Sequence, residues 1–132
     1  MKITADTNVL VRAITGDDER QGRTAQAQLE TAEVVALPLP VLCELVWVLS
    51  QGYRVSPAEI AETVRRLMNS ENVVMDRPAA EAGLVLLEAG GDFADGIIAH
   101  EGIWLGADTF VTFDKRAARL MEGQGQSVRL LK

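Results

Sequence analysis

Residues 109–121, TFVTFDKRAARLM, read as a β-branched and aromatic strand that stops at Asp114 and passes at once into a helix beginning at Lys115 and Arg116. The amino end has the same syntax: KITAD (2–6) is a short strand closed by Asp6, and TNVLVRAI (7–14) turns into a helix. Between these two units lie VVALP (34–38) and NVVM (72–75) as further strands, and SVRLL (127–131) supplies a last one. The intervening stretches carry helical signals: RQGRTAQAQLETA (20–32), VLCELVWVLSQ (41–51), Pro57 to about Met68, AAEAGLVLLEAG (79–90) and DFADGIIAHEGIWLG (92–106). Strands that alternate with helices imply an α/β fold with a largely parallel sheet and helices on both faces, because parallel neighbours need a crossover. Loops at the carboxyl ends of the strands are then where a site is expected.

Local punctuation supports these boundaries. Ser56 is placed as an N-cap, Pro57 at the first helical position and Glu59 at the capping-box position. Ile60, Val64, Leu67 and Met68 follow at helical spacing as one apolar stripe. Pro38 and Pro40 mark the entry to the Glu44 helix and Gly52 its end; Gly90 and Gly91 stop the next helix but one, Asp92 caps its successor and Gly106 closes it.

A chain of 132 residues, 48% hydrophobic, has the size of one domain with its own core. Nineteen acids against 13 bases give a net charge of −6, which excludes a simple basic coat for nucleic acid. A nuclease remains compatible, since bound cations offset a carboxylate site and then meet the phosphates. No run approaches the roughly 18 to 20 apolar residues of a membrane span, and MKITADTNVL lacks a signal-peptide core, so a cytoplasmic protein is expected. The single cysteine, Cys43, lies among apolar neighbours and reads as a small core residue. There is no Cys/His cluster for zinc, no GxxxxGK[ST], no GxGxxG and no GxSxG. The only histidine, His100, sits about 140° around its helix from Asp95, so the two do not share a face.

Four acids stand where a merely solvated charge is out of place. Asp6 and Asp114 each end a strand, which in one parallel sheet sets them on the same edge. Each also qualifies as a helix N-cap. Thr7 and Asn8 add oxygen-bearing groups after Asp6, and Thr112 precedes Asp114 as a core residue or a hydroxyl directed to the site. Glu44 is the only charged side chain between Glu33 and Arg54, in an otherwise apolar helix. A buried carboxylate there asks for a cation; a solvent-facing helix side is the alternative. Asp92 and Asp95 have capping-box spacing, with Asp95 followed by Gly96, Ile97, Ile98 and Ala99, so Asp95 is assigned to the site and Asp92 to the cap or periphery. Asp108 precedes its strand and belongs to the opposite edge. Oxygen ligands of this kind suit Mg²⁺ or Mn²⁺, which activate a water and orient a phosphate.

With those residues placed, the chain resembles the PIN-domain family, and within it the VapC-type toxins of toxin-antitoxin pairs. The matching segments are ADTNVLVRAI, LPVLCELVWVL around Glu44, GGDFADGIIA around Asp95 and DTFVTFDKRAARL around Asp114, in order and across nearly the whole chain. The resemblance implies a three-layer α/β/α sandwich with a short, mostly parallel sheet, and one domain over residues 1–132. It implies Mg²⁺ or Mn²⁺ held by Asp6, Glu44, Asp95 and Asp114, with Asn8 and Thr112 as supporting polar groups; Asp92 is an extra acid beside them, a supporting residue that leaves the ligand count open. It further implies hydrolysis of RNA, homodimers, and silencing by a cognate VapB-type antitoxin. Arg12, Lys115 and Arg116, with Arg20, Arg23 and Arg119, are the basic residues nearest in sequence for phosphate contacts. Trp47 and Trp104 read as core or dimer-interface residues. Gly96 stands where alanine is frequent in the family, and is expected to loosen its helix by ~1 kcal/mol. A catalytically silent binding module on the same fold is the alternative from another class; an aspartyl phosphatase at Asp6 expects a second acid where the chain has Asn8.

Overall fold

The computed structural model describes all 132 residues, which divide into two compact units, Met1–Asp76 and Arg77–Lys132. In the first unit the order is β1 (Lys2–Thr4), α1 (Thr7–Thr15), α2 (Glu19–Thr31), β2 (Val34–Ala36), α3 (Leu39–Trp47), α4 (Pro57–Met68) and β3 (Val73–Val74). The strands pair in the order β1-β2-β3, all parallel, with Ile3 opposite Val35 and Ala36 opposite Val74. Each crossover is helical, as parallel pairing demands. The apolar stripe of α4 behaves as its spacing predicts: Ile60, Val64 and Met68 are buried and Leu67 half-buried. They join Leu10, Val35, Leu37, Leu42, Leu45 and Leu49 among the buried residues of this unit. Ser56 caps α4 by accepting the Glu59 N–H, with Pro57 at its first position.

The helix that carries Glu44 does not run straight to Gly52. From Val48 to Gly52 it widens into a π-helical turn, closed by the Tyr53 N–H reaching back to the Val48 carbonyl. Strand β1 is also shorter than 2–6. The chain leaves it after Thr4 so that Asp6, at φ −85° and ψ 172°, becomes the N-cap of α1.

The second unit runs α5 (Arg77–Glu88), α6 (Phe93–Trp104), β4 (Phe110–Thr112), α7 (Lys115–Gly123) and β5 (Val128–Leu130), with β4 and β5 parallel. Thus the α/β class and the parallel pairing hold, while the strands form one three-stranded and one two-stranded sheet rather than a single one. Helices α5 and α6 approach closely because each contributes a glycine. A Cβ on Gly83 would meet the Phe93 ring at 2.8 Å, and one on Gly96 would meet the Ala82 carbonyl oxygen at 2.5 Å. Gly96 is therefore a packing requirement, not the loosening of α6 that helix propensity alone predicts. Around this contact Ala79, Ala80, Leu84, Phe93 and Ile97 are buried, and Leu86, Ala99 and Met121 form a cluster backed by Phe110, Leu120 and Val128.

Three sequence expectations shift. Cys43 is half-buried rather than a core residue. Trp47 and Trp104 are 65% and 79% exposed, so neither is core. Each is the last residue of its α-helix: α3 turns Leu42, Leu45 and Val46 inward, and α6 has its last buried residue at Ala99, leaving both rings outside.

Candidate active site

Each unit brings two of the four singled-out acids to defined positions. In the first, Asp6 is exposed, and its Oδ1 accepts the Val9 N–H at 3.0 Å as the α1 cap. This places a negative charge at the positive end of a helix, a favourable arrangement. Glu44 lies on the exposed side of α3, opposite the buried Leu42 and Leu45. The burial expected of it does not occur; α3 is amphipathic in space although its sequence is nearly all apolar. Its carboxylate is nonetheless not adrift, since Thr7 Oγ1 donates to Glu44 Oε2 at 2.9 Å. Asn8, at the second position of α1, is exposed. A cavity of about 530 Å³ opens beside Asp6 and Asn8, walled by Arg12, Arg20, Gln21 and Thr24 among others.

Arg12 is committed elsewhere. Its Nη1 contacts both oxygens of Asp17, at 2.9 and 3.0 Å, and its Nε donates to Gln21. The Tyr53 hydroxyl, together with Thr15 and Arg12, holds the Asp17 carboxyl down at about 2, and Asp17 in turn raises the Arg12 guanidinium. This cluster pins the α1–α2 connection to the end of the π turn. Nothing in the spacing of residues 12, 15, 17 and 53 signals it. Arg23 is paired with Glu19, whereas Arg20 is exposed.

In the second unit Asp92 caps α6 by accepting the Asp95 N–H at 3.1 Å, as its position predicts. Asp95, in the first turn, is half-buried, and its carboxyl is pushed above the ordinary range by burial, then by the charges of Asp92 and Asp114. Asp114 follows β4 and caps α7, its Oδ1 accepting the N–H groups of Arg116 and Ala117 at 2.9 and 3.0 Å. Thr112 is half-buried, and its hydroxyl accepts the Asp114 N–H at 3.0 Å, which fixes the turn that aims Asp114. Lys115, Arg116 and Arg119 are exposed on α7 beside it. Asp108 lies before β4, at the other end of the strand from Asp114, and accepts from Thr109.

Within neither unit do three or more His, Cys, Asp or Glu side chains gather closely enough to hold a metal ion. The chemistry of the donors still suits a hard divalent cation. In each unit the singled-out acids are carboxylates, the donor type such an ion prefers, and Asp95 is raised first by burial and then by the charges of Asp92 and Asp114. No helix is long and apolar enough to cross a membrane.

A family model described as PIN domain matches residues 3–122. The chain belongs to the PIN domain family. No curated protein matches it as a relative. PIN domains are generally nucleases, hydrolases that act on nucleic acid, and commonly use divalent metals. The matched span contains Asp6, Glu44, Asp95 and Asp114 together with Asn8, Asp92 and Thr112.

Proposed function

We propose that residues 1–132 work as a single PIN domain and that the protein is a VapC-type toxin: a cytoplasmic endoribonuclease whose four carboxylates, Asp6, Glu44, Asp95 and Asp114, together hold Mg²⁺ or Mn²⁺. A cognate VapB-type antitoxin neutralises it, and the working form is a homodimer. The observation that carries this reading is the family match across residues 3–122, a span that includes all four acids. The local geometry adds support, because three of the four are oriented by bonds that occupy one carboxylate oxygen and leave the other for a ligand.

Bound there, a divalent ion supplies an activated water and charge for the phosphate. The chain's own groups do the rest. Asp6 and Asp114, fixed as helix caps, present carboxylates at the ends of β1 and β4, and Glu44 presents its own from the exposed side of α3. Thr112 holds the Asp114 turn, Asp92 holds the start of α6 under Asp95, and Asn8 offers an amide next to Asp6. Lys115 and Arg116 are available to the RNA phosphates; Arg12, tied to Asp17, acts by ordering its loop.

The test is cleavage of RNA by the chain purified free of antitoxin, with and without Mg²⁺ or Mn²⁺, beside Asp6→Asn. Asparagine caps a helix as well as aspartate, so the variant keeps the α1 start and loses only the charge. Activity is expected to need the metal and to vanish in the variant; undiminished cleavage by Asp6→Asn would sink the mechanism.

A further inference from the structure

The bond between Thr7 and Glu44 joins residues 37 apart in sequence, immediately beside Asp6. An exposed glutamate ordinarily samples many rotamers, and holding one entails a loss of entropy. Glu44 has no basic neighbour on its own helix to hold it: one turn away on either side stand Pro40, Val41, Trp47 and Val48. Thr7, by contrast, is well made for the task. It is half-buried, it is the first residue of α1, and its β-branched side chain has few χ1 rotamers to choose from, so little freedom is lost in directing its hydroxyl to Glu44. The same helix start fixes Asp6 through the Val9 N–H. One turn of α1 thereby sets two carboxylates, using Asp6 Oδ1 and Glu44 Oε2 and sparing Asp6 Oδ2 and Glu44 Oε1.

We infer that Thr7 is a positioning residue for the proposed metal site, its hydroxyl orienting the Glu44 carboxylate through Oε2 and leaving Oε1 for an ion. The inference rests on the reading of Glu44 as a ligand given above. Groups that orient a ligand without touching the metal are worth about 10- to 100-fold in metal affinity, and Thr7 on an exposed carboxylate belongs at the lower figure.

The experiment titrates the full, metal-free chain with Mn²⁺ by calorimetry, comparing Thr7→Val and Thr7→Ser, each alone and with Glu44→Ala. Valine keeps the branching and removes the hydroxyl; serine keeps the hydroxyl. Thr7→Val is expected to weaken Mn²⁺ binding about 10-fold, Thr7→Ser to stay near the unsubstituted chain, and Thr7→Val to change nothing further once Glu44 is alanine. RNA cleavage by Thr7→Val should fall at limiting Mn²⁺ and recover as the ion is raised. Equal affinity in Thr7→Val and Thr7→Ser overturns the role of Thr7 while leaving the metal reading intact. An equal loss from Thr7→Val with and without Glu44 also overturns it, since Thr7 would then act by another route. If the unsubstituted chain takes up no Mn²⁺, the ligand reading fails and Thr7 falls with it.

Discussion

Replacing Gly96 by alanine sets two known effects against each other, and the structure decides which prevails. Alanine is the better helix former by about 1 kcal/mol, so propensity alone predicts a more stable α6. The added Cβ, however, would lie 2.5 Å from the Ala82 carbonyl oxygen, 2.9 Å from Gly83 Cα and 3.1 Å from the Ala82 carbonyl carbon. All three are backbone atoms of α5, so no side chain can swing aside; α5 and α6 have to separate, loosening the packing around Phe93 and Leu84. Overpacking of this kind typically costs about 1–3 kcal/mol, and contact with backbone belongs at the upper end. The balance is a net loss of about 1–2 kcal/mol, or a fall in Tm of roughly 3–10 °C for a chain of this size. Gly102 supplies the control on the same helix. A Cβ there meets only Ala107 Cβ, at an ordinary 3.9 Å, so Gly102→Ala should gain up to about 1 kcal/mol. Thermal and urea unfolding followed by circular dichroism measure both. If Gly96→Ala is as stable as the unsubstituted chain, or if both variants move the same way, the close α5–α6 approach is not what requires glycine at 96.

Two further outcomes concern pH. Asp17, held at about 2 chiefly by the Tyr53 hydroxyl, contributes stability that is fully present above the ordinary carboxylate range and is lost as pH falls towards 2; Asp17→Asn should therefore flatten the acid limb of a Tm-versus-pH curve, and an unchanged limb would count against the cluster. Asp95 has the opposite sign. Its raised carboxyl makes the fold comparatively more stable when it is protonated, and that advantage disappears as pH rises through its folded-state value, so Asp95→Asn should gain on the unsubstituted chain at neutral pH relative to acid, while losing any stabilisation by Mn²⁺. An Asp95→Asn curve parallel to that of the parent throughout would refute the assigned cause.

What the sequence disclosed follows a physical divide. Features determined by neighbours along the chain were legible: Ser56-Pro57 starting α4, Asp92 capping α6, Gly90 and Gly91 following α5, and Asp6 and Asp114 at strand-to-helix turns. Features made by distant residues were not. Gly96 looked like a weak helix position because Ala82 and Gly83, which need the space, lie on another helix. Glu44 looked buried because α3 is apolar by composition, and only the fold reveals that one of its sides faces outward and that Thr7 lies within reach. The Asp17–Tyr53 bond spans 36 residues and leaves no periodic trace.

The acids also show why two readings that competed in the sequence are compatible in space. Capping was the bland account of Asp6 and Asp114, and ligation the sharp one. Yet both backbone bonds to Asp114 reach Oδ1, and the single bond to Asp6 reaches Oδ1 as well. A cap occupies one oxygen, restricts the rotamer and leaves the second oxygen pointing in a fixed direction. For a cation, that is a ligand whose ordering entropy has been met by the fold. On the proposed metal reading, capping is the means by which a surface carboxylate on a strand-end turn becomes rigid enough to bind, and Thr7 does for Glu44, in mid-helix with no N–H to cap, what the backbone does for the other two.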